Sequence, residues 1–528
     1  MTPDIQWLYL LPLLVTFGAG VVGILVESFV RHHEKRRGIQ IALTVAAILG
    51  ALASVVGLWI TLGSDSSVSI DGSTIALDSH SLLWQGLIAL FALMSIGVFT
   101  ARTSGEDAFV PLAASTPGSS DEALASRRGM LQTEVYPLML FAVGGMMMFT
   151  MVQDIFALFV VLEVFSLPLY LLVGLARRRR LLSQEAALKY FLTGAFASAV
   201  YLFGAALVFG FAGASSYQAI ASALASGAPS QELVVLGSAL MLVGLLFKLG
   251  AAPFHAWTPD AYQGAPTAVT GFMAAATKAA AVAALVRLVY LAFAPEQEAL
   301  GIVFPLDTVV WSLVAFAVVS MVVGTVMALA QDDIKRILAY SSIAHAGFLL
   351  VAVSSFTQEA LQALPFYMAV YGIATVGAFA VVSLVRHRDE DGAWGAEASA
   401  LEHWAGLGRR SPFIAGAMTL FLFSFAGIPL TAGFVGKFLA FRAALTDPSN
   451  WWLVAIAVVM SAAAAFFYAR VVVAMFFRET PAGSVTGITA GRTVRVVIAI
   501  AAVLTILLGV FPSGALSLAE TGAELFFL

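Results

Sequence analysis

Apolar runs long enough to cross a membrane follow one another along almost the whole chain, and they constrain the fold more than any other feature. They fall near residues 5–30, 39–62, 81–101, 134–152, 154–176, 186–212, 233–262, 267–292, 306–330, 333–353, 361–386, 413–445, 452–477 and 494–515. As helices, each could span about 30 Å of hydrocarbon, whereas barrel strands would be about half as long and would alternate in polarity. Of the 528 residues 60% are hydrophobic and 11% charged, against about 25% charged in soluble domains. A water-soluble fold is excluded. The expected class is an all-α integral membrane bundle of about 14 transmembrane helices, which grows sideways in lipid and so escapes the size limit of a soluble core.

Loop charges check that reading independently, because Lys and Arg collect on the cytoplasmic side. The odd connections carry Arg31, Lys35, Arg36 and Arg37, then Arg127 and Arg128, then the run Arg177 to Arg180. The seventh is too short to inform, and the pattern resumes with Lys335 and Arg336, with Arg386, Arg388, Arg409 and Arg410, and with Arg478 and Arg492. The even connections near 63–80, 213–232, 293–305, 354–360 and 446–451 contain neither residue type. Both termini are therefore expected on the outer face, with the polar stretches 102–133 and 387–411 as cytoplasmic loops. The N-terminus MTPDIQWLYLLPLL has an acid where a signal peptide carries positive charge, so the first helix is expected to be retained.

Two apolar runs are too long for a plain span and contain prolines: 233–262 with Pro253 and Pro259, and 413–445 with Pro429 and the flanking Pro412. Paired broken helices in corresponding positions point to inverted repeats with an ion path at the breaks. The expected organisation is three helices and a loop in 1–133, a first inverted repeat of helices 4 to 8 in 134–292, a second of helices 9 to 13 in 293–477, and a final helix in 478–528.

Cysteine is absent, which removes disulfides, iron–sulfur ligation and thiol nucleophiles from this chain. The net charge of -4 and the loop positions of the basic residues give no sign of nucleic acid. GAGVVG at 18–23 matches a dinucleotide fingerprint but lies inside a membrane helix with no preceding strand, so close helix packing explains it better.

Chemistry concentrates in a few charged residues inside the apolar runs. Of six lysines, Lys248, Lys278 and Lys437 lie deep within such runs and Lys189 about a turn inside another. A lysine at mid-membrane costs about 2.5–3.5 kcal/mol or more, so it persists mainly where it faces a partner or water. Glu163 is the acid in the middle of its helix, and its opposite charge makes Glu163 with Lys248 the expected pair for proton exchange. His255, beyond the first break, and His345, in the tenth helix, can relay protons near neutral pH, with hydrogen-bonded packing as the alternative for each. Lys189 and Arg287 read equally well as helix bridges, and Asp260 as an interfacial cap of the broken helix.

The strings EAALKYFLTGAFASAVYLFG, GLLFKLGAAPFHAWTPDAYQGAPTAVTGFM, DIKRILAYSSIAHAGFLL and LFSFAGIPLTAGFVGKF resemble the antiporter-like membrane subunits of proton-pumping NADH:quinone oxidoreductase (respiratory complex I). Within that family LEHWAGLGRRSP and the lysine at 437 are most similar to subunit N. The resemblance implies an ion-pairing glutamate at Glu163, a broken-helix lysine at Lys248, a central lysine at Lys278 and a distal lysine at Lys437. It implies His255 and His345 as linkers along a polar midplane axis. It further implies a bacterial cell membrane, other complex I membrane subunits as partners, and NAD, FMN, iron–sulfur clusters and quinone held by those partners. An Mrp-type cation/proton antiporter subunit, a non-pumping scaffold and an ordinary solute carrier are the competing readings; loop 102–133 has no assigned role.

Overall fold

The computed structural model describes residues 7–62, 67–70, 74–103, 105–294, 304–388, 394–479, 486–489 and 491–523. Among them twelve helices are long and apolar enough to cross a membrane. The 15-residue helix Val135–Phe149 and a broken pair, Pro412–Ala426 with Ala432–Ala444, complete the expected set. In chain order the helices are α1 Leu11–Phe29, α2 His33–Leu62, α3 Ser79–Phe99, α4 Val135–Phe149, α5 Ile155–Val173 and α6 Arg180–Ala212. Then come α7 Gln231–Leu249, α8 Trp257–Gly264, α9 Thr267–Ala292, α10 Phe304–Leu329, α11 Ile334–Val353 and α12 Gln358–Leu384. Then follow α13 Pro412–Ala426, α14 Ala432–Ala444, α15 Trp451–Phe477 and α16 Arg492–Val510, while short helices such as Ser120–Arg127, Tyr217–Ala225 and Ser513–Thr521 lie between or after these and take no label.

Burial sorts these helices into layers. The apolar window of α9 is 100% buried and those of α11 and α12 are 94% buried, whereas α1 and α16 bury only 28%. A helix that is apolar all round and buried all round is a bundle core, and polar residues within it face protein instead of lipid. The core helices carry Lys278, His345, Tyr367 and Tyr371. In the outer layer, Gly20 and Gly23 of α1 lie against Phe141 and Pro137 of α4, so two glycines of GAGVVG serve close packing.

The breaks differ from the proline reading. α7 ends at Leu249 with Gly250 as a left-handed cap at φ +72°, and α13 ends at Ala426 with Gly427 at φ +81°. Pro253 and Pro429 lie in the connecting segments, where a proline after a glycine cap stops the helix from resuming. Pro259 sits inside α8 and Pro412 is the first residue of α13, where its missing N–H costs nothing. Pro168 and Pro365 sit inside continuous helices. Left-handed glycine, followed two or three residues later by proline, marks the breaks; proline alone does not.

Other boundaries also move. α2 begins at His33, so Lys35, Arg36 and Arg37 are on its first turns and not in a loop, and α6 begins at Arg180 instead of near 186. α9 contains a π-helical turn, Met273–Thr277, immediately before Lys278. The polar connecting stretches hold structure that no period in the sequence announces. A two-stranded ladder pairs Arg102–Thr103 with Glu106–Asp107, and a three-stranded sheet joins Val385–Arg388 to Trp394–Glu397 and Thr486–Ile488.

Glu397 ties this sheet to the bundle. Its carboxylate meets Lys335 of α11 at 3.1 Å and Arg386 at 3.6 Å and accepts from the Thr267 hydroxyl of α9. Burial pushes the carboxyl up, but Lys335, Arg386 and Thr267 more than offset it and hold it below the ordinary carboxylate range. A lowered folded value stabilises above the unfolded value, about 4.3 for Glu, and that stabilisation is lost as pH falls through the lowered one. Glu397→Ala leaves Lys335, 3% exposed, without its anion, at a cost of about 3 kcal/mol. Limited proteolysis of the face that carries this sheet should show the variant cut faster than wild type at pH 7, with the difference shrinking below about pH 4 as the wild-type carboxylate protonates.

Candidate functional site

Lys248 is the penultimate residue of α7, 2% exposed, and its ammonium is surrounded by rings. The centroids of Tyr170, Phe247, Tyr190 and Phe165 lie 5.1, 5.4, 5.5 and 5.6 Å from Nζ. Ring faces attract a cation while shielding it from lipid. Tyr190 stacks on Trp257 of α8 at 4.4 Å, so both halves of the broken helix build this cage. Nζ donates to Tyr170 Oη at 3.2 Å.

Glu163 is not in contact with that ammonium, contrary to the pair expected from the sequence. Among the described residues no ion pair within 4.0 Å joins Glu163 to Lys248. Glu163 instead accepts a hydrogen bond from Ser198 of α6. Tyr170 follows Glu163 by seven residues on the same face of α5. Those two turns rise about 10 Å, which separates the charges. The carboxylate and the amine share no direct ion pair; the one bonds Ser198 and the other Tyr170.

Lys278 begins the regular part of α9 after the π turn, and its Nζ donates to Leu249 O at 2.6 Å and Ser342 O at 2.9 Å. Leu249 ends α7, so its carbonyl is one that the break deprives of a helical partner, and the negative end of the helix dipole favours a cation there. Lys437 of α14 repeats the arrangement: Nζ donates to Ala426 O, the last carbonyl of α13, at 3.2 Å and to Ser461 Oγ of α15 at 2.7 Å. It also lies 4.7 Å above the Phe348 ring. Each glycine-capped break thus ends on a buried ammonium, and the lysine at the first break is Lys278, with Lys248 beside it.

His345, 4% exposed in α11, lies between these breaks. Its Nδ1 is 2.8 Å from Tyr367 Oη and its Nε2 3.3 Å from Tyr468 Oη, and Tyr468 is 2.5 Å from Ser341 Oγ. Ser341 adjoins Ser342, whose carbonyl holds Lys278, and the Phe348 ring meets His345 edge-on at 5.7 Å while lying under Lys437. A small cavity lined by His345, Tyr367, Tyr371, Ser424, Gly433 and Gly436 opens from the histidine toward the second break. The chain of contacts therefore runs from Lys278 through α11 to Lys437.

His255 lies outside it. The residue is half-buried in the first break with its ring 6.5 Å from Tyr340, and its Nδ1 has no hydrogen-bond partner among the described residues. Asp260 is in the first turn of α8 but makes no side-chain cap; its oxygens are taken by Lys189 and Arg336, each at 2.8 Å. Lys189 bridges Asp260 and Glu185 with its side chain 48% exposed. Arg287, fully buried, binds both oxygens of Asp78 through Nη2 at 2.6 and 2.8 Å. These three are helix bridges.

Residues 152–464 match the family described as NADH:quinone oxidoreductase/Mrp antiporter, TM. The chain is 49% identical to NADH-quinone oxidoreductase subunit N of Beutenbergia cavernae, covering 98% of this chain and 97% of that protein. The chain belongs to the subunit N family of NADH-quinone oxidoreductase. Subunit N of Mycobacterium tuberculosis is 44% identical, with 99% of each chain covered. Respiratory complex I from Thermus thermophilus with bound Aureothin contains a chain 33% identical that superposes with a TM-score of 0.75, covering 96% of this chain and 99% of that one. The Mrp complex from Dietzia sp. DQ12-45-1b has a chain of the same fold, TM-score 0.77 at 22% identity and with 98% and 97% covered. As a subunit N, the chain is a multi-span membrane component of a proton-translocating oxidoreductase, and its partners are the other membrane subunits of complex I.

Sequence reasoning missed the hydroxyls of this subunit N site: Tyr170, Ser198, Tyr367, Tyr468 and Ser461. Tyr170 alone left a signal, seven residues from Glu163; the others come from three helices, α6, α12 and α15, that only the fold brings together.

Proposed function

We propose that this chain translocates protons through Glu163, Lys248, Lys278, His345 and Lys437, driven by quinone reduction in partner subunits. The observation that carries the reading is the pair of glycine-capped breaks, each ending on a buried lysine ammonium held by open carbonyls. An ammonium held by neutral dipoles, with no carboxylate within 4.0 Å among the described residues, can lose its proton without leaving an unpaired buried anion. Hydroxyls and an imidazole then supply groups that accept and donate at once, as a relay requires. His255 is assigned a side role through water, since its Nδ1 has no hydrogen-bond partner among the described residues.

The reading includes 134–292 and 293–477 as inverted repeats following the N-terminal unit 1–133 and preceding 478–528. It also places both termini on the outer face of a bacterial cell membrane. NAD, FMN, iron–sulfur clusters and quinone are assigned to partner subunits: a chain without cysteine, and without three metal-ligating side chains grouped among its described residues, does not suit a cluster. Membranes carrying Lys437→Met, with wild-type complex content, should form a several-fold smaller proton gradient from NADH; an unchanged gradient would remove Lys437 from the path. For the topology, a membrane-impermeant label should reach the segment Arg177 to Arg180 only from the cytoplasmic side, and labelling from outside overturns the orientation.

A further inference from the structure

We propose that Tyr170 is the hydroxyl link through which Lys248 and Glu163 exchange a proton, and that Gly194 provides its seat. The inference rests on the proposed proton-carrying role of those two charged residues. Three observations converge on it. The Tyr170 hydroxyl is hydrogen-bonded to Lys248 Nζ at 3.2 Å, and among the described residues Lys248 has no carboxylate within 4.0 Å. Glu163 and Ser166 precede Tyr170 by seven and four residues on the same face of α5, so carboxylate, serine and the phenol that bonds the amine line one side of the helix. A Cβ at Gly194 of α6 would lie 2.1 Å from Tyr170 Oη and 2.9 Å from its Cζ, so any side chain there would expel the hydroxyl. The ring itself is fixed edge-on against Tyr190 at 4.6 Å and Phe191 at 5.6 Å.

The step balances without any co-reactant. A Lys248 N–H bond breaks as an O–H bond forms on Tyr170, and the original phenolic O–H breaks in the same exchange. That proton passes to Glu163 through one water, or through the Ser166 hydroxyl once its O–H turns from the Leu162 carbonyl to which it donates. Lys248 and Glu163 end neutral and Tyr170 is unchanged; the reverse exchange resets both charges. A phenol serves here because it donates and accepts simultaneously, which none of the cage's phenylalanines can do.

The test uses the intact complex carrying Tyr170→Phe, Gly194→Ala or Lys248→Met. Tyr170→Phe keeps the ring cage and removes one oxygen, so complex content should be normal while proton-gradient formation falls by about tenfold. Gly194→Ala should give the same direction of loss. Redox-induced infrared difference spectra with ring-labelled tyrosine should show a tyrosine C–O band in wild type that is lost in Tyr170→Phe and shifted in Gly194→Ala, a change that mere packing would not produce. Normal pumping and an unchanged band in Tyr170→Phe, with pumping lost in Lys248→Met, overturn the link and leave the lysine reading standing. Normal pumping in both overturns the lysine reading as well. Loss of assembly in Gly194→Ala overturns the seating claim, and Tyr170→Phe still decides the link.

Discussion

Lys248→Met lowers proton-gradient formation and coupled NADH:quinone turnover by about tenfold or more, the scale of losing a positioned proton carrier, while the complex assembles normally. Methionine matches the lysine stem in reach and remains compatible with the aromatic cage of Tyr170, Tyr190, Phe165 and Phe247, so the packing of α5, α6 and α7 is retained. The lost element is the proton. Glu163→Gln has the same direction, because the amide can still bond Ser198 but can no longer take up a proton. Glu163→Asp is milder, since it keeps the acid and shortens its reach by one carbon. Lys189→Met is the control: its ammonium is 48% exposed between Glu185 and Asp260, where a surface pair contributes about 0–1 kcal/mol. The measurements are complex content, electron transfer and gradient formation in the same membranes. Normal pumping in Lys248→Met and Glu163→Gln at normal content removes both from the path, and loss of assembly in both favours a scaffold role.

Asp78→Ala has the opposite signature: assembled complex falls severely. Asp78 caps α3 through the Ser81 N–H at 2.8 Å and holds Arg287, whose Nε and Nη1 already lack protein partners. Removing the carboxylate leaves a fully buried guanidinium without its anion, a loss of about 3–5 kcal/mol. The helix cap adds about 1 kcal/mol more. Immunodetection of the native complex should show little of it, and whatever assembles should pump at a normal ratio of protons to NADH. Full assembly with defective pumping would move Asp78 and Arg287 from structure into mechanism. The contrast between the two predictions separates buried charges that serve the bundle from those that serve transport.

Helix number and order were legible because twenty apolar residues in a row have few alternatives, and loop charges gave an independent parity. Charge in apolar context was equally legible, since Lys248, Lys278, Lys437, Glu163 and His345 are each too costly to be accidental. Partnership was not. Opposite sign suggested a direct Glu163–Lys248 pair, but the carboxylate bonds Ser198 and the amine bonds Tyr170, seven residues further along α5. The breaks were placed on prolines because proline is a visible breaker, whereas the caps are Gly250 and Gly427, and glycine is too common here, at 45 residues, to read alone. Glu397 was unreadable for a similar reason: an acid in a loop ordinarily means solvent, and only the three-stranded sheet carries it onto Lys335.

The central claim is that the ammonium groups at the glycine-capped breaks carry the pumped protons, and Lys278, held by Leu249 O and Ser342 O, is its sharpest point. The direct measurement is the number of protons translocated per NADH oxidised by purified complex reconstituted in vesicles, with Lys278→Met compared to wild type at equal complex content. The account predicts that the ratio falls, or that coupled turnover stops while the complex remains intact; wild-type turnover at a wild-type ratio would contradict it.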